Sequence, residues 1–320
     1  MKGLVTGATG FVGSAVVEHL AASSSWQPVL GLRRKPEVTM AYPWALIGEL
    51  SSESDWSEAL RDCSAVVHCA ARVHVMDDTE ADPLAAFRSA NVQGTLNLAR
   101  QAAQAGVARF VFISSIKVNG EQTTRDTFFT AEDEPAPRDP YGISKLEAER
   151  GLFVLAEETG MEVVIIRPPL VYGPGVRANF ASMMRWLDKG VPLPFGAIHN
   201  RRSLVARSNL VDLIMTCLEH PAAANQVFLA GDGEDLSTTQ LLHRVGQALG
   251  KPARLLPIPI KLLEIAAGVA GKHAIAQRLC GSLRVDISKT QKLLGWRPQV
   301  SVDQALNETA QAYLNSQNSS

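Results

Sequence analysis

Lys2-Gly3-Leu4-Val5-Thr6-Gly7-Ala8-Thr9-Gly10-Phe11-Val12-Gly13 opens the chain, and residues 14–22 behind it carry a helical pattern. The reading is a strand over 2–6, a glycine turn over 7–13 and a helix, in immediate succession. Glycine permits a tight turn and lets backbone approach a pyrophosphate closely. A helix N-terminus behind such a turn offers free N–H groups and the positive end of the helix dipole to phosphate oxygens. The spacing is Gly-x-x-Gly-x-x-Gly rather than Gly-x-Gly-x-x-Gly. Because the turn follows directly on the first strand, it is a candidate dinucleotide site and not only a βα connection.

The pattern continues along the chain. Strands are expected over 28–32, 45–50, 65–71, 107–113 and 161–166, with helices over 83–105 and 141–159. Strands alternating with helices indicate an α/β fold, a Rossmann-type doubly wound parallel sheet. Such sheets bind ligands beyond the carboxyl ends of their strands. Gly7, Arg33, Ala70 and Ser115 all stand at expected strand ends. After the second strand comes Arg33-Arg34-Lys35. An acidic residue there would bind an adenosine ribose, whereas arginine suits a 2′-phosphate. The cofactor expected is therefore NADP or NAD, with NADP favoured by Arg33 and Arg34. Glu49 and Leu50, ending the third strand, are expected near the adenine. Cys69, Ala70 and Ala71, ending the fourth, are small enough for close approach of the cofactor. His68 is expected in the core. No cysteine or histidine stands at metal-ligand spacing, so no metal is expected.

Tyr141-Gly142-Ile143-Ser144-Lys145 and Ser115 carry the chemistry. Tyrosine and lysine four apart share one helical face, about one turn apart. A phenol normally holds its proton to a pKa of about 10, and a nearby ammonium favours the phenolate. Lowering the pKa by roughly three units takes about 4 kcal/mol. The expectation is a tyrosine that exchanges a proton near neutral pH. Ser115 would hydrogen-bond the same substrate oxygen. Together these groups suit the interconversion of an alcohol and a ketone.

With these pieces the chain resembles the extended short-chain dehydrogenase/reductase family, in its nucleotide-sugar epimerase and reductase group. The matching segments are the Gly7 to Gly13 turn, Cys69-Ala70-Ala71, Asn91-Val92-Gln93-Gly94-Thr95, Phe112-Ile113-Ser114-Ser115 and Tyr141 to Lys145. Arg167-Pro168-Pro169-Leu170-Val171-Tyr172-Gly173-Pro174, Asp286-Ile287-Ser288-Lys289 and Leu294-Gly295-Trp296 complete them. Within the family, Ser114-Ser115-Ile116-Lys117-Val118-Asn119-Gly120-Glu121 is similar to bacterial reductases of UDP-4-keto-6-deoxy-N-acetylhexosamines that serve surface polysaccharide synthesis. The resemblance implies that Tyr141 is the acid/base, that Lys145 tunes it and holds the nicotinamide ribose, and that Ser115 orients the substrate oxygen. It implies Ser114 and Pro168 beside the cofactor, and Asn91 supporting the active-site helix or a proton relay. Lys117, Asn179 and Phe180 would meet the sugar nucleotide, and Arg202 its diphosphate. A second phosphate arginine is implied within 276–284, with Arg278 preferred to Arg284. A homodimer is implied as well. Two positions depart from many epimerases: Asn119 replaces a tyrosine, and Leu170 replaces an asparagine near the sugar. The activity expected is therefore NAD(P)-dependent reduction at C4 of a nucleotide sugar. A 4-epimerase with tightly bound NAD is the alternative, and a non-catalytic dinucleotide sensor a remote one.

The 320 residues suffice for a large core and two lobes. The expected division is a dinucleotide-binding part over 1–170, with a returning segment near 204–230, and a mainly substrate-binding lobe over 171–320. A formal net charge of −1 offers no nucleic-acid surface. The first strand begins at the second residue, which leaves no room for a signal peptide, and four scattered cysteines make no disulfide framework. The expected compartment is the cytoplasm. Residues 262–270 are apolar but too short to span a bilayer, and read as an amphipathic or buried helix. The loop over 123–140 reads as an active-site cover or a surface connection.

Overall fold

The structure is a computed structural model describing residues 1–73, 82–269, 277 and 279–318. Its first half alternates β1 (Lys2–Thr6), α1 (Gly13–Ala22), β2 (Gln27–Leu32), β3 (Trp44–Leu46) and β4 (Cys63–His68). There follow α2 (Pro83–Phe87), a π-helical turn (Arg88–Gly94), α3 (Thr95–Gln104), β5 (Arg109–Ile113), α4 (Pro140–Thr159) and β6 (Glu162–Arg167). The second half holds β7 (Leu170–Tyr172), α5 (Ala178–Asp188), β8 (Arg202–Ala206), α6 (Arg207–Glu219), β9 (Gln226–Leu229) and β10 (Asp235–Leu236). It ends with α7 (Thr238–Ala248), α8 (Ile260–Val269), α9 (Ser288–Leu294) and α10 (Val302–Asn318).

Seven strands form one parallel sheet in the order β3-β2-β1-β4-β5-β6-β9. Its strands are apolar on both faces because helices cover both. The period-2 alternation of a strand sorts the side chains. Val5, Val67, Val111, Val164 and Ile166 join α1 and α6 in one core, while Leu4, Val66, Phe110, Phe112, Val163 and Ile165 join α3 and α4 in the other. β9 brings residues 226–229 back to the edge of this sheet beside β6. A second sheet, β10-β8-β7, closes over a third core built from Tyr172, Phe180, Leu242, Val245 and Leu306 among others.

Strand order reverses between β1 and β4, so their carboxyl ends flank a crevice. The third strand stops at Leu46, short of the expected residue 50, because Gly48 turns out of it at φ +77. The helix expected over 83–105 forms with a π-helical turn at its centre, around Asn91. Such turns widen a helix locally and recur at functional positions. The 123–140 loop is stitched to the far end of the chain: Thr123 N donates to Ser282 O at 2.9 Å, and Phe129 N to Arg284 O at 2.8 Å. The apolar helix expected near 262–270 exists as α8, but it is not buried: Leu262 and Ile265 are 55% and 63% exposed.

Candidate active site

The glycine turn is shaped by contacts that leave no room for a side chain. Gly7 sits at φ +63, and a Cβ there would lie 2.9 Å from Ala70 N; one on Gly13 would lie 2.2 Å from Gly7 O. Gly10 N donates to Gly7 O at 2.8 Å, which folds the turn back on itself. Val12 precedes α1, and no side-chain hydrogen bond caps the helix there. This cradle fits a dinucleotide pyrophosphate, whose oxygens take the place of a capping side chain. Thr9 and Gly10 are exposed at its lip, and Phe11 is half-buried. The Arg207 guanidinium lies 5.2 Å from the Phe11 ring centroid and donates to Phe11 O at 3.5 Å. Sequence reasoning missed this arginine, because no local spacing connects the start of α6 to the glycine turn.

At the adenosine end, Arg33 pairs with Glu49 at 3.7 Å and Arg34 is exposed. Leu50 packs against the π-helical turn: a Cβ on Gly94 would lie 2.6 Å from Leu50 Cγ. Ala70 and Ala71 are half-buried beyond β4. Cys69 N donates to Thr6 O at 3.3 Å, and Ala70 N to Thr6 Oγ1 at 3.2 Å.

The reactive end is held by three elements. Pro140 at the first helical position and Asp139 as N-cap start α4, with Asp139 Oδ1 accepting from Gly142 N at 2.7 Å. Tyr141 and Lys145 thus leave the first turns of α4 on one face, opposite the end of β5. Ser115 stands beside the Tyr141 hydroxyl and acts to lower its pKa. Lys145 Nζ lies 6.0 Å from the Tyr141 ring centroid, 4.3 Å from that of Phe112, and donates to Ile113 O at 2.9 Å. The structure therefore brings Ser115, Tyr141 and Lys145 together beside the crevice. It corrects their expected acidity. Burial, with the Asp139 carboxylate second, pushes the Tyr141 phenol up to about 12, against the lowering effect of Ser115. Burial also pulls Lys145 down to about 8, opposed by Glu149 and Cys69. The ammonium is committed to a carbonyl and a ring face, so desolvation outweighs its pull on the phenol.

Asn91, at the centre of the π-helical turn, is buried and bridges two elements. Its Oδ1 accepts from Arg72 N at 2.8 Å, and its Nδ2 donates to Arg72 O and Ser144 Oγ, both at 3.0 Å. Ser144 Oγ in turn donates to Tyr141 O at 2.8 Å. Asn91 thereby fixes the first turns of α4 against the loop after β4.

Ser114 departs from expectation. Its hydroxyl is buried and donates to Glu149 Oε1 at 2.5 Å, so the side chain faces the interior and not the crevice. Glu149 also accepts from Arg167 at 2.6 Å, and Arg167 donates to Asn119 Oδ1 at 3.0 Å. This buried network lies behind the reactive end. Its signal in the sequence is Glu149, four residues after Lys145 on the same helix.

The remaining candidates scatter. Lys117 forms ion pairs with Asp139 and, at 3.5 Å, with Glu121. Asn179 is exposed at the start of α5, next to Ala178, which holds a left-handed φ of +53. Phe180 is buried and stacked on Tyr172 at 5.7 Å, a core side chain and not an open contact. Pro168 is buried, with its carbonyl accepting from Ile116 N at 3.0 Å. Leu170 is exposed on β7. Arg202 is half-buried and donates to Gly281 O at 3.1 Å. Arg278 lies outside the described residues. Arg284 is held by Asp235 at 2.6 Å beneath the Phe128 ring. Among the described residues no group of three or more His, Cys, Asp or Glu converges to hold a metal ion. Nor is any helix among them long and apolar enough to cross a membrane.

A family model described as the NAD dependent epimerase/dehydratase family matches residues 3–231, from β1 through β9. The chain belongs to this family. As an NAD dependent epimerase/dehydratase it is 50% identical over 316 residues to a UDP-glucose 4-epimerase of Vibrio cholerae, covering 98% of this chain and 96% of that one. MoeE5, solved with UDP-glucuronic acid and NAD, superposes with a TM-score of 0.77 at 26% identity, covering 99% of this chain and all of that one. The UDP-N-acetylglucosamine 4-epimerase of Bacillus cereus reaches a TM-score of 0.81 at 21% identity, covering 98% and 99% of the two chains, a likeness of fold alone. The Rossmann-type parallel sheet expected from the alternation of elements is thus the fold of this enzyme family. The comparisons support an NAD-binding epimerase/dehydratase more closely than a dedicated 4-reductase.

Proposed function

We propose that this chain is a UDP-hexose 4-epimerase using NAD. The observation that carries the reading is the convergence of Ser115, Tyr141 and Lys145 on the crevice that opens beyond the Gly7–Gly13 cradle. The near full-length identity to the Vibrio cholerae enzyme favours epimerisation over net reduction. Bound NAD would supply the hydride acceptor and donor. Tyr141, as the phenolate, would take the proton of the C4 hydroxyl and return it, Ser115 would fix the oxygen, and Lys145 would hold the cofactor ribose. Arg202 and Asn179 receive the UDP portion, with residues 171–320 forming most of that lobe. Arg33 lies 3.7 Å from Glu49 in an exposed pair, with Arg34 and Lys35 exposed beside it, and the choice of NAD rests on the family model. A cytoplasmic homodimer belongs to the same proposal.

Two observations favour a second reading, reduction of a 4-keto-6-deoxy sugar nucleotide. Leu170 offers an exposed apolar side chain, and Asn119 is buried as an acceptor for Arg167 where many epimerases have tyrosine. A single experiment separates the two. Purified chain is given UDP-glucose or UDP-galactose and the sugars are resolved by proton NMR, while absorbance at 340 nm follows the nicotinamide. Interconversion without net absorbance change is the expected result. Stoichiometric loss of NADH or NADPH absorbance with a 4-keto-6-deoxy sugar nucleotide, and no interconversion, would overturn it in favour of the reductase.

A further inference from the structure

Three charged side chains, Lys145, Glu149 and Arg167, are buried where α4, β5 and β6 meet. The chemistry proposed above uses only Lys145. Glu149 and Arg167 form a two-pronged ion pair: Arg167 Nε donates to Glu149 Oε1 at 3.0 Å, and Nη2 to Oε2 at 2.6 Å. Ser114 Oγ adds a third bond to the same carboxylate, at 2.5 Å. Arg167 Nη1 reaches Asn119 Oδ1 at 3.0 Å, and Asn119 Nδ2 donates to Thr130 O at 2.7 Å. One carboxylate therefore ties α4 to the ends of β5 and β6, with the 123–140 loop joined through Asn119.

A buried ion pair is often no more stable than apolar side chains of the same volume, so stability alone is a poor reason for this one. Its placement offers a better one. Ser114 lies between Ile113, whose carbonyl accepts from Lys145 Nζ at 2.9 Å, and Ser115, which stands beside the Tyr141 hydroxyl. Glu149 is four residues beyond Lys145 on the same face of α4. Pinning Ser114 to Glu149 stops the end of β5 from sliding along α4, and so fixes the spacing of Ser115, Tyr141 and Lys145. We propose, on the reading of these three as the reacting groups, that Glu149 is a positioning residue. Held by Arg167, it locks the end of β5 against α4 through Ser114 and supplies the counter-charge of the Lys145 ammonium.

The titratable and charged groups around Lys145 are Tyr141 and Glu149 on α4, His68 and Cys69 at the end of β4, and Arg167 on β6 behind Glu149; β5 presents Phe112 and Ile113. His68 is pulled to about 3, whereas Cys69 and Tyr141 are pushed to about 12. Of these and Lys145, only Lys145, at about 8, changes charge between about pH 6 and 10. Glu149 opposes the loss of that proton. Removing its charge should therefore let the ammonium deprotonate at lower pH.

The test compares the full-length parent with Glu149→Gln and Ser114→Ala. UDP-hexose interconversion gives kcat and KM, and NMR of protein carrying ¹³C-lysine follows the Lys145 Cε carbon against pH, with Lys145→Met assigning the signal. Glutamine keeps the shape of Glu149 without its charge. Glu149→Gln is expected to lose at least about tenfold in kcat at a KM within about twofold of the parent, and to move the Lys145 titration to lower pH. Ser114→Ala leaves the charge in place. It is expected to lose at least about threefold in kcat with the Lys145 titration unmoved. A kcat within about twofold of the parent in either variant, a loss that appears in KM instead, or an unmoved Lys145 titration in Glu149→Gln overturns the proposal. Should Glu149→Gln fail to fold, the kcat of Ser114→Ala decides. A parent that interconverts neither UDP-glucose nor UDP-galactose overturns the epimerase reading alone. The same variants are then assayed with the 4-keto-6-deoxy sugar nucleotide, and the lysine titration, which needs no substrate, still decides the role of Glu149.

Discussion

Replacing Lys145 with methionine should abolish turnover and yet make the protein more stable. Lys145 is buried, and its amine is pulled from 10.5 to about 8. At pH 7 it is charged in both folded and unfolded chains, so the shift of about 2.5 units is a cost of about 3 kcal/mol carried by the folded state. Methionine is of similar length and carries no charge. It forfeits the hydrogen bond to Ile113 O, worth about 1 kcal/mol, and the contact over Phe112, worth up to about 1 kcal/mol. The net gain is about 1–2 kcal/mol, or roughly 2–4 °C in Tm for a chain of this size. The sign can be checked with pH. A depressed lysine pKa means that the stability of the parent recovers as pH rises from about 8 towards 10.5, since only the unfolded chain still binds the proton. Urea melts of both chains at pH 7, 8.5 and 10 should therefore converge with rising pH. A variant less stable than the parent at pH 7 by 1 kcal/mol or more would refute the reasoning, because the ammonium would then be a net stabilising group.

Asp139→Asn keeps the helix cap, since asparagine caps as well as aspartate, but removes the charge that holds Tyr141 up. The phenol pKa should fall, raising the phenolate fraction at pH 7–8; single-turnover NAD reduction by UDP-sugar should accelerate accordingly, and an unchanged rate would remove Asp139 from the account. Gly13→Ala puts a Cβ 2.2 Å from Gly7 O, so the turn must shift; the expected loss is on the order of 2 kcal/mol in stability, read by thermal melts, with NAD affinity falling in parallel by calorimetry. His68 is buried between Thr6 and Thr95 and burial pulls it to about 3. Its contribution is complete above pH 6.5 and is lost as pH falls towards 3, so by pH 4.5 it should cost the parent about 3 kcal/mol, a slope that His68→Gln should lack in urea melts.

Much of this site was legible because its parts are local. Gly7 to Gly13 declares a turn whose glycines the backbone contacts require, and Tyr141 and Lys145 share a helix face by spacing alone. What spacing could not convey was dielectric. The lysine was expected to lower the phenol, but both groups lie away from water, and that desolvation acts on each of them separately. Side-chain direction was equally hidden: Ser114 and Ser115 are adjacent, and extended backbone at the end of β5 sends one inward to Glu149 and leaves the other beside Tyr141. Phe180, a sugar-nucleotide contact by resemblance, is a core ring in the structure, because an apolar side chain at the start of α5 has Tyr172 to stack on. Arg207 was invisible because the fold, and not the local sequence, brings α6 against the glycine turn.

The stitching of residues 123–129 to 282–286 has a consequence for how the chain is made. A ribosome delivers the strands of the parallel sheet long before the residues that secure this loop, which come about half the chain later. The amides of Thr123 and Phe129 must wait for the carbonyls of Ser282 and Arg284, and the Phe129 carbonyl for the amide of Asp286. A nascent chain halted at residue 240 would therefore hold its glycine turn and parallel sheet while the backbone of residues 123–129 still lacked these partners. Late emergence of residues 282–286, and not completion of the sheet, is the step that secures this loop.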